Sequence, residues 1–168
     1  MDKYEKLERY LGKIAPDIGH LVIVFNSLED TLDSIIIETL NEHNDVIGYA
    51  VISGMSFSSK IDLLSRMVSY ELHGLDLEKK KSKVDQFEIL LQKLREANVT
   101  RNDIIHSAWL EYDLASGNVR TKMKVTPEGL EPRNKKIEHK DIRKAIKSIE
   151  KLEEKLYSFF ENSASWWA

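Results

Sequence analysis

No cysteine occurs in the 168 residues. That excludes a disulfide scaffold, cysteine-based zinc sites and thiol catalysis, and it suits a reducing, cytosolic setting. Long hydrophobic runs are also missing. The run Leu21 to Phe25 is five residues, against the roughly 20 that a membrane-spanning helix needs, so no membrane association is expected. The start, MDKYEKLERY, is charged and has no apolar stretch of the secretory type, so no signal peptide is expected. No glycine-rich phosphate loop and no serine-nucleophile elbow occurs. With three prolines, seven glycines, no repeat and no low-complexity stretch, nothing marks a linker, and one domain over residues 1–168 is the expectation.

What is present is a charged chain, 32% Asp, Glu, Lys and Arg, with a net charge of −3 that hides an asymmetry. Arg133, Lys135, Lys136, Lys140, Arg143, Lys144 and Lys147 stand against only Glu138 and Asp141, and EKKKSK occupies 78–83. Such runs are either solvated surface or a face turned towards a polyanion.

The apolar pattern is mostly helical. Tyr4 to Leu11 form a short amphipathic opening, and Pro16-Asp17 look like a fresh helix start. From there Ile18, Leu21, Val22, Phe25, Leu28, Leu32, Ile35, Ile36 and Leu40 recur at steps of three and four, ending near Asn41 to Asp45. VIGYAVISGM is ambiguous between helix and extended chain. A helix is predicted from the serines of SFSS to a cap at Gly74, and another from Asp76 to about Asn98 through Val84, Phe87, Leu91 and Leu94. The period then changes to two: Trp109–Leu114 and Val119–Val125 flank Ser116-Gly117-Asn118 as a β-hairpin. Pro127, Gly129 and Pro132 read as a loop. A last helix starts near His139 and carries Ile142, Ile146, Ile149, Leu152, Leu156, Phe159 and Phe160, while Trp166 and Trp167 call for a packing surface. The fold class is thus mainly α: an antiparallel bundle of four to five helices with a β-hairpin inserted before the last long one.

One stretch stands apart, Arg101-Asn102-Asp103-Ile104-Ile105-His106. Thr100 followed by Asp103 has the form of a capping box, which would place Arg101 in the first turn of a new helix. A cation there opposes the helix dipole by about 0.3–1 kcal/mol, and a phosphate bound at the helix N-terminus would account for it. Asn102 and His106, four apart, would share a face. An arginine, an amide and an imidazole suit phosphodiester cleavage of RNA without a metal, in which a base takes the 2′-hydroxyl proton, cations steady the phosphorane and an acid protonates O5′. The alternative is that His106 is an ordinary structural histidine. His20, His43, His73 and His139 show no partner at ligand spacing, Glu38, Glu42 and His43 read as a polar helix face, and neither a metal nor a cofactor is called for. Arg120, Lys122 and Lys124 alternate along the second hairpin strand, and with Lys140, Arg143 and Lys144 they are candidates for contact with an RNA backbone.

With those residues in hand, the chain resembles the HEPN superfamily (higher eukaryotes and prokaryotes nucleotide-binding), whose signature is an arginine, a polar neighbour and a histidine a few residues on. The resemblance implies a metal-independent endoribonuclease working as a homodimer, leaving 2′,3′-cyclic phosphate and 5′-hydroxyl ends, in toxin–antitoxin or antiviral defence. Arg101 would hold the scissile phosphate, His106 would be the acid–base group and Asn102 would orient them. Members that serve only as binding modules leave open a protein- or nucleotide-binding role, including that of an antitoxin or immunity partner. Toxins paired with a nucleotidyltransferase carry a tyrosine two residues past the histidine; Ala108 stands there instead. Because each chain offers only one well-placed histidine, a two-fold dimer bringing two copies of His106 to one cleft is also the chemical expectation.

Overall fold

The computed structural model describes residues 3–40, 45–72, 77–113 and 117–161. The elements run α1 (Lys3–Leu40), α2 (Asp45–Ile52), α3 (Phe57–Glu71), α4 (Leu77–Ile105), β1 (Ala108–Asp113), β2 (Gly117–Thr126), β3 (Gly129–Lys136) and α5 (His139–Glu161). The fold is mainly helical, with an antiparallel β element before the last helix. Gly74, Asp76, Ser116, Trp166 and Trp167, with Glu42, His43 and His73, lie outside the described residues.

Three boundaries differ from the sequence reading. Helix α1 passes through Pro16, because its apolar stripe begins before the proline: Ile14, Leu21, Leu28, Leu32 and Ile36 are all fully buried. Burial of that stripe outweighs the one backbone hydrogen bond that proline forfeits. Helix α4 does not stop at Asn98 but continues to Ile105. Ala97 and Ile104, seven residues or two turns apart, are both buried, so the core-facing stripe runs straight across the would-be capping box. Finally, Gly129–Lys136 is a third strand rather than a loop. It pairs with β2 from Val119↔Lys136 to Thr126↔Gly129, in the order β1-β2-β3. Pro132, opposite Met123, is accommodated because β3 is an edge strand. The tight connection Thr126–Gly129 needs a glycine, since Gly129 has φ of +129°. The ambiguous segment is helical, as α2.

The chain divides into two compact units: Met1–Val24 with Val99–Lys147, and Phe25–Asn98 with Ser148–Ala168. In the first, Tyr10 Oη donates to the Ile137 carbonyl at 3.4 Å, and burial raises its phenol to about 12. The β1–β2 register runs from Ala108↔Thr121 to Asp113↔Gly117, with an irregularity before Glu111. Helix α5 opens with the Glu138 N–H bonded to Asp141 Oδ2 at 2.9 Å, a backward-reaching carboxylate cap.

The second unit is a helical bundle. Phe25 of α1 meets Phe57 of α3 with ring centroids 4.7 Å apart, and Phe87 of α4 stacks on Phe159 of α5 at 5.7 Å. Arg95–Asp62 and Asn98–Ser58 contacts set α4 antiparallel to α3. Ser56 caps α3, its hydroxyl accepting from the Ser59 N–H. Lys60, 7% exposed, bonds Glu29 at 2.8 Å and Asp33 at 2.7 Å. Burial opposes its charge, yet the two carboxylates outweigh burial and raise its pKa. Burial also pushes the Asp33 carboxyl up, against the pull of Lys60. Gly48 brings α2 onto α1 so closely that a Cβ there would sit 2.8 Å from Ile37 Cγ2 and 3.1 Å from Ile37 Cα. Val46, Ile47, Tyr49 and Val51 of α2 are exposed. No helix among the described residues is long and apolar enough to cross a membrane.

Candidate active site

Because α4 continues to Ile105, the stretch RNDIIHSAW surrounds a helix C-terminus, not an N-terminus. The sign of the local field is therefore opposite to the one expected. A helix C-terminus carries partial negative charge, so Arg101, just before the last turn of α4, does not oppose the dipole. No row of free backbone N–H groups awaits a phosphate here. Any anion would be held by side chains.

What the residues after the arginine do first is close the helix. The last four carbonyls of an α-helix have no partner within it, and three of them are met locally. The Asn102 carbonyl accepts the His106 N–H at 3.1 Å. The Asp103 carbonyl accepts the buried Ser107 hydroxyl. The Ile104 carbonyl accepts the Trp109 indole N–H at 3.3 Å. Ile104, 3% exposed, anchors this end in the core. Ser107 and Trp109 were not recognised as caps from the sequence, since only the position of the helix end gives their spacing a meaning.

Within that frame Arg101 is half-buried, and its Nη1 donates to Asn102 Oδ1 at 2.8 Å. The amide thus holds the guanidinium. His106 lies one residue beyond the helix and is exposed. The result is a cation tethered by an amide, with an accessible imidazole about one and a half turns further on.

Arg101, Asn102, His106, Arg120, Lys122, Lys124, Lys140, Arg143 and Lys144 all belong to the first compact unit. The strand register sets Arg120 opposite Lys135 and Lys122 opposite Arg133, whereas Lys124 faces Glu131. On α5, Lys140 bonds Glu138 at 2.7 Å, and that hydrogen bond raises its pKa. Arg143 Nε lies 3.3 Å from Asp17 Oδ2, and Lys144 is exposed. The same Asp17 oxygen meets His139 Nδ1 at 2.9 Å. His139 therefore does have a carboxylate partner, contrary to the sequence reading. The 122 residues separating the two left no local spacing to reveal it.

Among the described residues, no group of three or more His, Asp or Glu side chains is arranged to hold a metal ion. A groove of about 470 Å³ in the second unit is lined by Asp30, Glu38 and Glu161 among others, carboxylates that would repel a phosphodiester. In comparisons with known proteins, no family model, no curated protein and no solved structure matches this chain.

Proposed function

We propose that this protein is a metal-independent endoribonuclease of the HEPN type, acting in the cytoplasm as a homodimer and serving as a toxin or antiviral defence effector. The carrying observation is the Arg101–Asn102 pair, 2.8 Å apart, with the exposed His106 beyond the end of the same helix. Arg101 holds the scissile phosphate through its guanidinium fork. His106 moves a proton, and Asn102 keeps the guanidinium aimed. The basic residues of β2 and α5 in the same unit supply the charge that draws in an RNA backbone.

The test is incubation of the purified protein with a mixed RNA pool in EDTA. Cleavage should leave 2′,3′-cyclic phosphate and 5′-hydroxyl ends and spare DNA, which lacks the 2′-hydroxyl. Arg101→Ala and His106→Ala should each lower the rate by about 10²–10⁴-fold with the fold intact. Wild-type rates in both variants, or cleavage of DNA, would sink the proposal.

A second reading, a non-catalytic HEPN-like module that binds a protein as an antitoxin or immunity partner does, draws on two observations. Part of the motif region already has a structural task at the end of α4, and α2 exposes four large apolar side chains of the sort found at protein interfaces. Its signature is RNA inertness together with capture of one specific protein that Tyr49→Lys abolishes.

A further inference from the structure

In-line cleavage by the 2′-hydroxyl needs two proton-transfer groups, a base for O2′ and an acid for O5′. His106 is one. The first unit contains another imidazole already held as a base would be. His139 Nδ1 lies 2.9 Å from Asp17 Oδ2; the carboxylate side chain is only 13% exposed, while the imidazole is 38% exposed. Arg143, one turn along α5, bonds the same carboxylate through Nε at 3.3 Å and 3.5 Å. Asp17 is thus clamped from two positions on α5.

We infer that His139 is the general base of the reaction whose acid is His106, and that Asp17 is its positioning residue; this rests on the endoribonuclease reading above. A proton held on Nδ1, the nitrogen 2.9 Å from Asp17 Oδ2, leaves the lone pair of the neutral ring on Nε2. A sheltered carboxylate fixing the tautomer of a half-exposed imidazole is the base-and-orienter half of a catalytic triad. The substrate class follows from the neighbours. Arg143 and Lys144 are exposed on the same helix, and among the described residues Asp17 is the one carboxylate paired with the ring, so the surroundings suit a phosphodiester anion. His139, His106 and Arg101 all belong to one compact unit.

The protons balance without any co-reactant. Nε2 of His139 takes the 2′-hydroxyl proton as the O2′–P bond forms. The P–O5′ bond breaks, and O5′ takes its proton from the His106 imidazolium. The cyclic phosphate and the 5′-hydroxyl leave, and the two rings regain their starting states by exchange with water. Both groups then come from one chain, so pairing two copies of His106 is not required for the proton relay.

The experiment uses the full chain, the same RNA pool and EDTA. His139→Ala should lower cleavage by about 10²–10⁴-fold, and added imidazole should restore part of it. His139→Gln can keep a hydrogen bond to Asp17 but cannot carry the proton, so it should be folded by circular dichroism and equally slow. The rise of rate with pH on the acid side, present in the wild type, should be missing from its residual activity. Asp17→Asn should lower kcat with little change in KM. A folded His139→Gln that cleaves at the wild-type rate while His106→Ala is inactive overturns this inference and leaves the endoribonuclease standing. Wild-type protein with no His106-dependent cleavage overturns both.

Discussion

Trp109 and Ser107 show how a short stretch can be written for two tasks at once. Their hydrogen bonds close the carbonyl end of α4, and the residue between that end and Ser107 is the proposed acid, His106. Trp109→Phe removes the indole donor but keeps an aromatic ring. It should cost about 1 kcal/mol, read as a fall in Tm of roughly 2–4 °C for a chain of this size. Ser107→Ala should cost a similar amount or somewhat more, because the hydroxyl is buried. If the caps also hold His106 in place, both variants should cleave RNA more slowly while binding it normally. An unchanged melting curve for Trp109→Phe would show that the indole bond contributes nothing to the helix end.

Helices α4 and α1 explain what was legible in the sequence at the level of elements. Apolar spacing alone identified most of the helical content, since Leu21, Leu28, Leu32, Ile142, Ile149 and Leu156 repeat at helical intervals and are buried. It failed where a local stop signal competed with a longer stripe. Pro16 and the Thr100–Asp103 pair both look like helix starts, and both lie inside helices, because burial on either side adds more than a local cap. The third strand escaped notice because Pro132 argues against a strand unless the strand is known to be an edge. Of the site, the residue types could be read, but the field around them was assigned with the wrong sign. The Asp17–His139 pair depends on long-range packing and could not be read at all. Close packing also makes one element intolerant of change: Gly48→Ala would drive a methyl group into the Ile37 side chain of α1 and to 3.1 Å from its Cα. Overpacking of this kind costs about 1–3 kcal/mol. Differential scanning calorimetry should therefore show a lower Tm for Gly48→Ala, whereas Gly12→Ala, where the new methyl meets nothing within 4 Å, should be neutral or slightly stabilising.

For the molecule as a whole, the two units have different characters. One holds the basic strands, the motif and the Asp17–His139 pair; the other holds the buried Lys60 with its two carboxylates and the exposed apolar side chains of α2. The buried phenol of Tyr10, bonded to the Ile137 carbonyl, gives the first of these units a built-in optical reporter. Its phenolate absorbance should appear as a late step in an alkaline titration. Tyr10 is raised from 10.0 to about 12 in the folded chain. Between those values the folded state retains a proton that the unfolded state has released, so stability should fall as pH rises through that window. Tyr10→Phe should flatten the decline and delete the late step of the alkaline spectrum. A titration without a late step would show that the phenol is open to solvent. The same absorbance change, followed by stopped flow after a jump to alkaline pH, would time the opening of the unit proposed to carry the chemistry without attaching any label to it.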